Sequence, residues 1–106
     1  MKYINPTYKL NNNINSKVLI EQYDFHRYNN EIIYRFPVYK YNNKPLIFGE
    51  FVYNEWENQL HIRAIDHNGY NCNYNEEYFG ISKLIENINS KINTKINEFR
   101  KRGIIE

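Results

Sequence analysis

A single cysteine, Cys72, excludes an intramolecular disulfide and any zinc site built on paired thiolates. Only four glycines occur, widely scattered, so no glycine-rich loop is available to cradle a phosphate. Three histidines are present, and His26, His61 and His67 lack the i, i+4 spacing of a helical ligand pair, so no metal and no cofactor is expected. No stretch reaches the roughly 18 apolar residues of a membrane-spanning helix. Residues 1–16 lack the apolar run of a secretory signal. These absences lead to the expectation of a cytoplasmic protein that does not enter a membrane.

Aromatic residues, by contrast, are abundant at 17%, and eleven of them are tyrosines. Tyrosine suits half-buried sheet positions and interfaces alike, because the ring packs while the hydroxyl stays wet. Nineteen asparagines and fifteen isoleucines dominate the remainder, a bias that A/T-rich codons produce. The net charge of +2 is uneven: residues 1–80 sum to −1 and residues 81–106 to +3. An excess this small does not demand a nucleic-acid partner.

With 106 residues the chain has room for one core. Residues 1–16 read as a loosely ordered N-terminal arm, interrupted by Pro6 and Asn11-Asn12-Asn13, whose Tyr3, Ile4, Tyr8 and Leu10 can dock or form an edge strand. Residues 17–106 read as a single α+β domain. Strand-like segments run over Lys17–Tyr28, Glu31–Tyr41, Lys44–Tyr53 and Gln59–Asp66, with a short fifth strand at Tyr70–Tyr74. Asn29-Asn30 and Asn42-Asn43 fit two-residue hairpin turns, since asparagine tolerates positive φ, and Asn68-Gly69 marks a further hairpin. Ile81, Leu84, Ile85, Ile88, Ile92, Ile96 and Phe99 recur at steps of three and four, which predicts an amphipathic helix from about Gly80 to Arg102. Arg100-Lys101-Arg102 followed by Gly103 suits the helix dipole and a left-handed C′ residue, with Ile104 set to meet Phe99. The expected fold is thus a five-stranded antiparallel β-meander with one C-terminal amphipathic helix packed on one sheet face.

Two-residue turns fix the register. Tyr28 then opposes Glu31, Tyr41 opposes Lys44, and Tyr53 is set against Leu60. One face collects Tyr23, Phe25, Ile32, Tyr34, Phe36, Val38, Gly49, Phe51, Ile62 and Ala64, and is assigned to the helix; Gly49 beside Ala64 is expected to let the helix approach closely. The other face collects a row of alternating charge, Asp24–Arg35–Glu50–Arg63, beside rows His26–Ile33–Val52–His61 and Gln22–Pro37–Phe48–Ile65. A solvated ladder of this kind contributes about 0.2–1 kcal/mol per pair, so reversing Glu50 to Lys is expected to cost about 1 kcal/mol.

Asp24, Arg35, Glu50, His61, Arg63, Tyr39 and Phe48 are accordingly the candidate partner-binding residues. Acid–base cleavage of RNA on this face would need Glu50 or His61 with Arg35 and Arg63 as phosphate cations. An ion-paired Glu50 makes a poor base, and no catalytic motif supports it. Cys72 reads as a half-buried small hydrophobe, not a nucleophile. Lys91, Lys95, Arg100, Lys101 and Arg102 form a modest basic flank, the alternative contact for nucleic acid. The resulting expectation is a small non-enzymatic protein that acts by occupying a surface of another protein. Its composition and size fit a phage or mobile-element inhibitor of a host defence enzyme. The alternative is a nucleic-acid-binding protein or a small ribonuclease.

Overall fold

A computed structural model describes residues 3–106, so the first two residues of the N-terminal arm lie outside the described residues. The elements run β1 (Ile4–Lys9), α1 (Ser16–Gln22), β2 (His26–Tyr28), β3 (Glu31–Tyr41), β4 (Lys44–Asn54), β5 (Gln59–Asp66), α2 (Tyr74–Glu77) and α3 (Ser82–Lys101). The five strands form one antiparallel sheet in the order β1-β5-β4-β3-β2. The fold is α+β, with a C-terminal helix packed on the sheet, as the sequence patterns predict.

The hairpin corners explain the sheet. Asn42 and Asn43 both adopt left-handed backbone, at φ 51° and 64°, and Asn29 does so at 53°. These values match the twist that a two-residue hairpin requires. The predicted registers follow: Tyr28↔Glu31, Arg35↔Glu50 and Glu50↔Arg63 are direct partners. The β4–β5 connection is longer and closes through Asn58, again left-handed at φ 54°.

Three segments differ from expectation. Lys17–Gln22 belongs to a helix, α1, although Val18, Leu19 and Ile20 favour strands. Asn15 decides this locally, its Oδ1 accepting the Val18 N–H at 3.0 Å as an N-cap. Tyr70–Tyr74 forms no strand; only Asn71 bridges to Ile65, and the chain then turns into α2. The fifth strand is instead β1, from the N-terminal arm, pairing with β5 at Ile4↔Ile62 and Tyr8↔Leu60. Both segments use the same side of β5, and β1 takes the longer part of it.

Helix α3 buries Ile88, Ile92, Ile96 and Phe99. Phe99 meets Phe51 at 4.8 Å and Tyr34 at 5.1 Å between ring centroids, both edge-on. The helix stops in the cap that the sequence predicts. Gly103 is left-handed at φ 77°, its N–H reaches Arg100 O, and the Ile104 N–H reaches Phe99 O at 3.0 Å. The chain beyond the cap is tied to the start of the domain. Asn11 donates from Nδ2 to Gly103 O at 2.7 Å, its N–H bonds Ile104 O, and Glu106 N–H bonds Lys9 O.

Both sheet edges are blunted. Beyond Ile33 no strand among the described residues covers the outer side of β3, and there Pro37 and a register shift interrupt the ladder. Pro6 sits within the corresponding shift in β1. Such features discourage strand addition by another chain. Among the described residues no helix is long and apolar enough to cross a membrane.

Gly49 has a different role from the expected one. It does oppose Ala64, but the space over it is filled by the cross-strand ring of Phe36, not by the helix. A Cβ placed there would lie 2.6 Å from Phe36 Cζ, and that ring is hemmed by Tyr34 and Phe51. Gly49→Ala is therefore expected to lower stability by about 1–3 kcal/mol in urea unfolding, through overpacking. A gain would show that the ring moves aside freely.

Candidate functional site

The sheet face opposite α3 carries no second layer of secondary structure among the described residues, yet its small side chains are shielded. Ile33, Val52 and Ile65 are buried while standing outside the core cluster that α3 caps. Long polar side chains lie across the first two. Glu50, only 1% exposed, accepts Arg35 Nε at 2.8 Å on Oε2 and Arg63 Nε at 2.6 Å on Oε1. Arg63, 5% exposed, then donates from Nη1 and Nη2 to the two carboxylate oxygens of Glu31, at 3.0 and 3.1 Å. By register, the His26–Ile33–Val52–His61 row lies between Glu31 and Arg63, so this bidentate pair spans it. Arg35 also sits over the rings of Phe48 and Tyr28, at 5.8 and 5.9 Å.

The network is neutral as a set, with two carboxylates and two guanidiniums. Among the described residues no buried side-chain nitrogen or oxygen lacks a hydrogen-bond partner. Burial alone would push the Arg63 guanidinium down from its usual range, but the hydrogen bonds it donates to Glu31 and Glu50, with the charges of those carboxylates, outweigh it and hold it above. Glu50 thus has both oxygens engaged by cations and is shut from solvent. It is not placed to take a proton from a substrate.

The predicted site residues divide accordingly. Arg35, Glu50 and Arg63 lie side by side, as the registers require. Asp24 does not join them: it is exposed in the corner between α1 and β2, at φ 62°, before the sheet begins. Glu31 supplies the fourth charge by reaching diagonally, a contact invisible to an argument confined to directly opposed pairs. Tyr39 leaves the open face as well. The register shift between Pro37 and Lys40 sets it against the core instead. Phe48 is half-buried under Arg35, and Gln22 belongs to α1. His61 stays on the face, stacked on Tyr3 at 4.6 Å and 3.6 Å from Glu57.

The basic flank of α3 is largely committed to the protein's own residues. Lys95 pairs with Glu98 at 3.1 Å and lies over Tyr34 and Phe36. Arg102 faces the same Glu98 and the Tyr23 ring. Arg100 binds Glu106 O and faces Tyr8. Lys91 and Lys101 remain exposed, too few to make a stripe for a phosphate backbone.

Two features escape the sequence-level argument. Trp56, at the tip of the β4–β5 connection, is 98% exposed. Its loop is fixed from below: Asn54 Oδ1 accepts the N–H groups of Trp56 and Glu57 at 2.9 and 3.1 Å, and Asn54 Nδ2 holds Glu57 Oε1 at 2.7 Å. Beside it opens a groove of about 550 Å³, walled by Tyr3, Glu31, Glu55, Trp56 and His61 over Val52. A second exposed group, Tyr70, Phe79 and Ile81, lies around the connections that flank α2. The signal for Trp56 was present: the only tryptophan sits among Asn54, Glu55, Glu57 and Asn58, in a turn with nothing apolar to pack on.

Cys72 is buried, and its thiol is pushed from about 9.0 up to about 12, first by burial and then by the carboxylate of Glu77. His67 is exposed in its turn, so no thiol–imidazole pair forms. No protein-family model, no curated protein and no solved structure matches this chain.

Two outcomes follow. Glu50→Ala is expected to cost about 3–5 kcal/mol in chemical denaturation, because two guanidiniums lose their shared carboxylate in a buried setting. The paired change Glu50→Leu with Arg63→Met is expected to cost less than Glu50→Ala alone. This replaces the value of about 1 kcal/mol expected for a solvated ladder; a loss that small would mean the network is wet. Cys72 is expected to react with a thiol reagent at pH 8 far more slowly in the folded than in the unfolded chain. Its raised value means that the stabilisation is complete below about pH 9 and fades as pH climbs toward about 12. Rapid modification of the native protein would contradict the burial.

Proposed function

We propose that this protein is a non-enzymatic binding module that occupies a surface of another protein through its open sheet face and the Trp56 loop. The observation that carries the reading is Trp56 itself, an indole 98% exposed on a loop whose backbone is already fixed by Asn54. Tryptophan concentrates binding energy at interface centres. A fixed loop spares part of the ordering cost of association.

The neighbouring face supports this. Its charges are paired and its small apolar residues shielded, so it offers a shaped, low-charge surface of mixed chemistry. Since Pro6 and Pro37 interrupt the sheet edges, recognition by side chains on a face fits better than strand addition. A protein that acts by occlusion needs no chemistry of its own. The A/T-rich composition and small size support a place in a phage or mobile element, with a host defence enzyme as the occupied surface.

The test is capture from a low-GC bacterial lysate, with the partner then purified and its affinity measured. Trp56→Ala is expected to weaken binding at least about tenfold, as removal of an interface anchor does. Its unfolding midpoint should not move, because the ring packs on nothing. Nuclease treatment should leave the complex whole. Binding that survives Trp56→Ala unchanged, or that disappears with nuclease, would overturn the reading.

A further inference from the structure

Resting on the docking face just proposed, we infer that the groove beside Trp56 receives a cation from the partner, the guanidinium of an arginine or the ammonium of a lysine. Glu31 and Glu55 line the groove, and among the described residues no lysine or arginine does. Trp56 lines the same groove beside Glu55, its neighbour in the chain. Tryptophan is the best ring for a cation to sit over, and the contact strengthens as solvent leaves.

The arginines that balance these carboxylates do not fill the position. Arg63 is buried and holds both Glu31 oxygens from inside, while the Glu31 side chain stays 42% exposed at the groove, so the carboxylate left for an arriving cation is Glu55. Arg27 reaches Glu55 only at 3.6 Å, with both side chains half exposed, longer than a direct hydrogen bond. Such pairs are weak and readily exchanged. An arriving guanidinium can then bind a carboxylate in bidentate fashion while its plane lies on the indole.

Other occupants fit less well. A phosphate would meet two carboxylates and, among the described residues, no lysine or arginine on the groove wall. A nucleobase could stack on Trp56, but its own phosphates would meet the same repulsion. An aliphatic side chain would strip water from Glu31 and Glu55 and give nothing in return.

Trp56 is the only tryptophan in the chain, so its emission reports this groove alone. The experiment titrates the full chain with the peptide acetyl-Arg-Gly-Arg-amide and with the same peptide carrying citrulline, which keeps the shape of arginine without its charge. The arginine peptide is expected to give a saturable change in emission that weakens as salt rises from about 0.05 to about 0.5 M. Glu55→Gln should reduce its affinity at least about fivefold. Glu86→Gln, the same change of charge on an exposed position of α3, should not. Equal binding of the citrulline peptide, an equal effect of Glu86→Gln, or no saturable change would each overturn the inference. These results separate it from the reading on which it rests. No peptide response with Trp56-dependent partner binding removes the cation and keeps the docking face. A peptide response with partner binding indifferent to Trp56→Ala keeps the cation site and removes the docking face.

Discussion

Left-handed backbone at the hairpin corners is the constraint on which the sheet depends. Asn42 and Asn43, both at positive φ, turn the chain in two residues, and Asn29 serves the first hairpin. Few side chains tolerate that region, and asparagine does so at low cost because it bonds its own neighbourhood. A two-residue turn permits one register. Once the register is set, alternation along each strand decides which residues meet on each face. With β3 held in place, a slip of one residue at Asn42-Asn43 would turn β4 over, sending Phe51 to the open side and bringing Glu50 under α3. The carboxylate between two guanidiniums is thus a consequence of two asparagines seven and eight residues away along β4's hairpin.

This dependence also explains what was legible in the sequence. The three inner pairings and the helix with its cap were readable because each rests on a local signal repeated in independent ways: turn residues, alternation, the three–four period, and Gly103 after three cations. The first and last parts of the sheet were not. The choice between Ile4–Lys9 and Tyr70–Tyr74 as the partner of β5 is made across the whole chain, and both segments carry enough tyrosine and isoleucine to qualify. Val18, Leu19 and Ile20 mislead by propensity, where Asn15 as a cap decides. At the candidate site, Arg35, Glu50 and Arg63 were legible because they are direct neighbours. Glu31 was not, because a long arginine side chain can reach past one row to the next.

A single-layered sheet normally leaves one face in water. Here part of the open face is closed by its own long side chains, with the Arg63–Glu31 pair spanning the row of Ile33 and Val52. Arginine suits this work, since its stem covers apolar surface while its head group finds planar partners. The arrangement gives rigidity without a second layer of backbone, and it leaves the surface nearly neutral. Against that muted background the features that project are Trp56 and the Glu55 carboxylate beside it.

The tie between the two ends of the domain bears on how the chain folds. Asn11 bonds the carbonyls of Gly103 and Ile104, and Glu106 bonds Lys9, so the first strand is secured by residues synthesised last among those described. The three central hairpins have low contact order and can form as they leave the ribosome. β1 must wait for β5, and its anchoring must wait for the turn after α3. During that interval β1 and the free edge of β5 stand unpaired, the situation in which nascent chains misassociate. Pro6, which spoils β1 as a template for other strands, is placed where that hazard lasts longest.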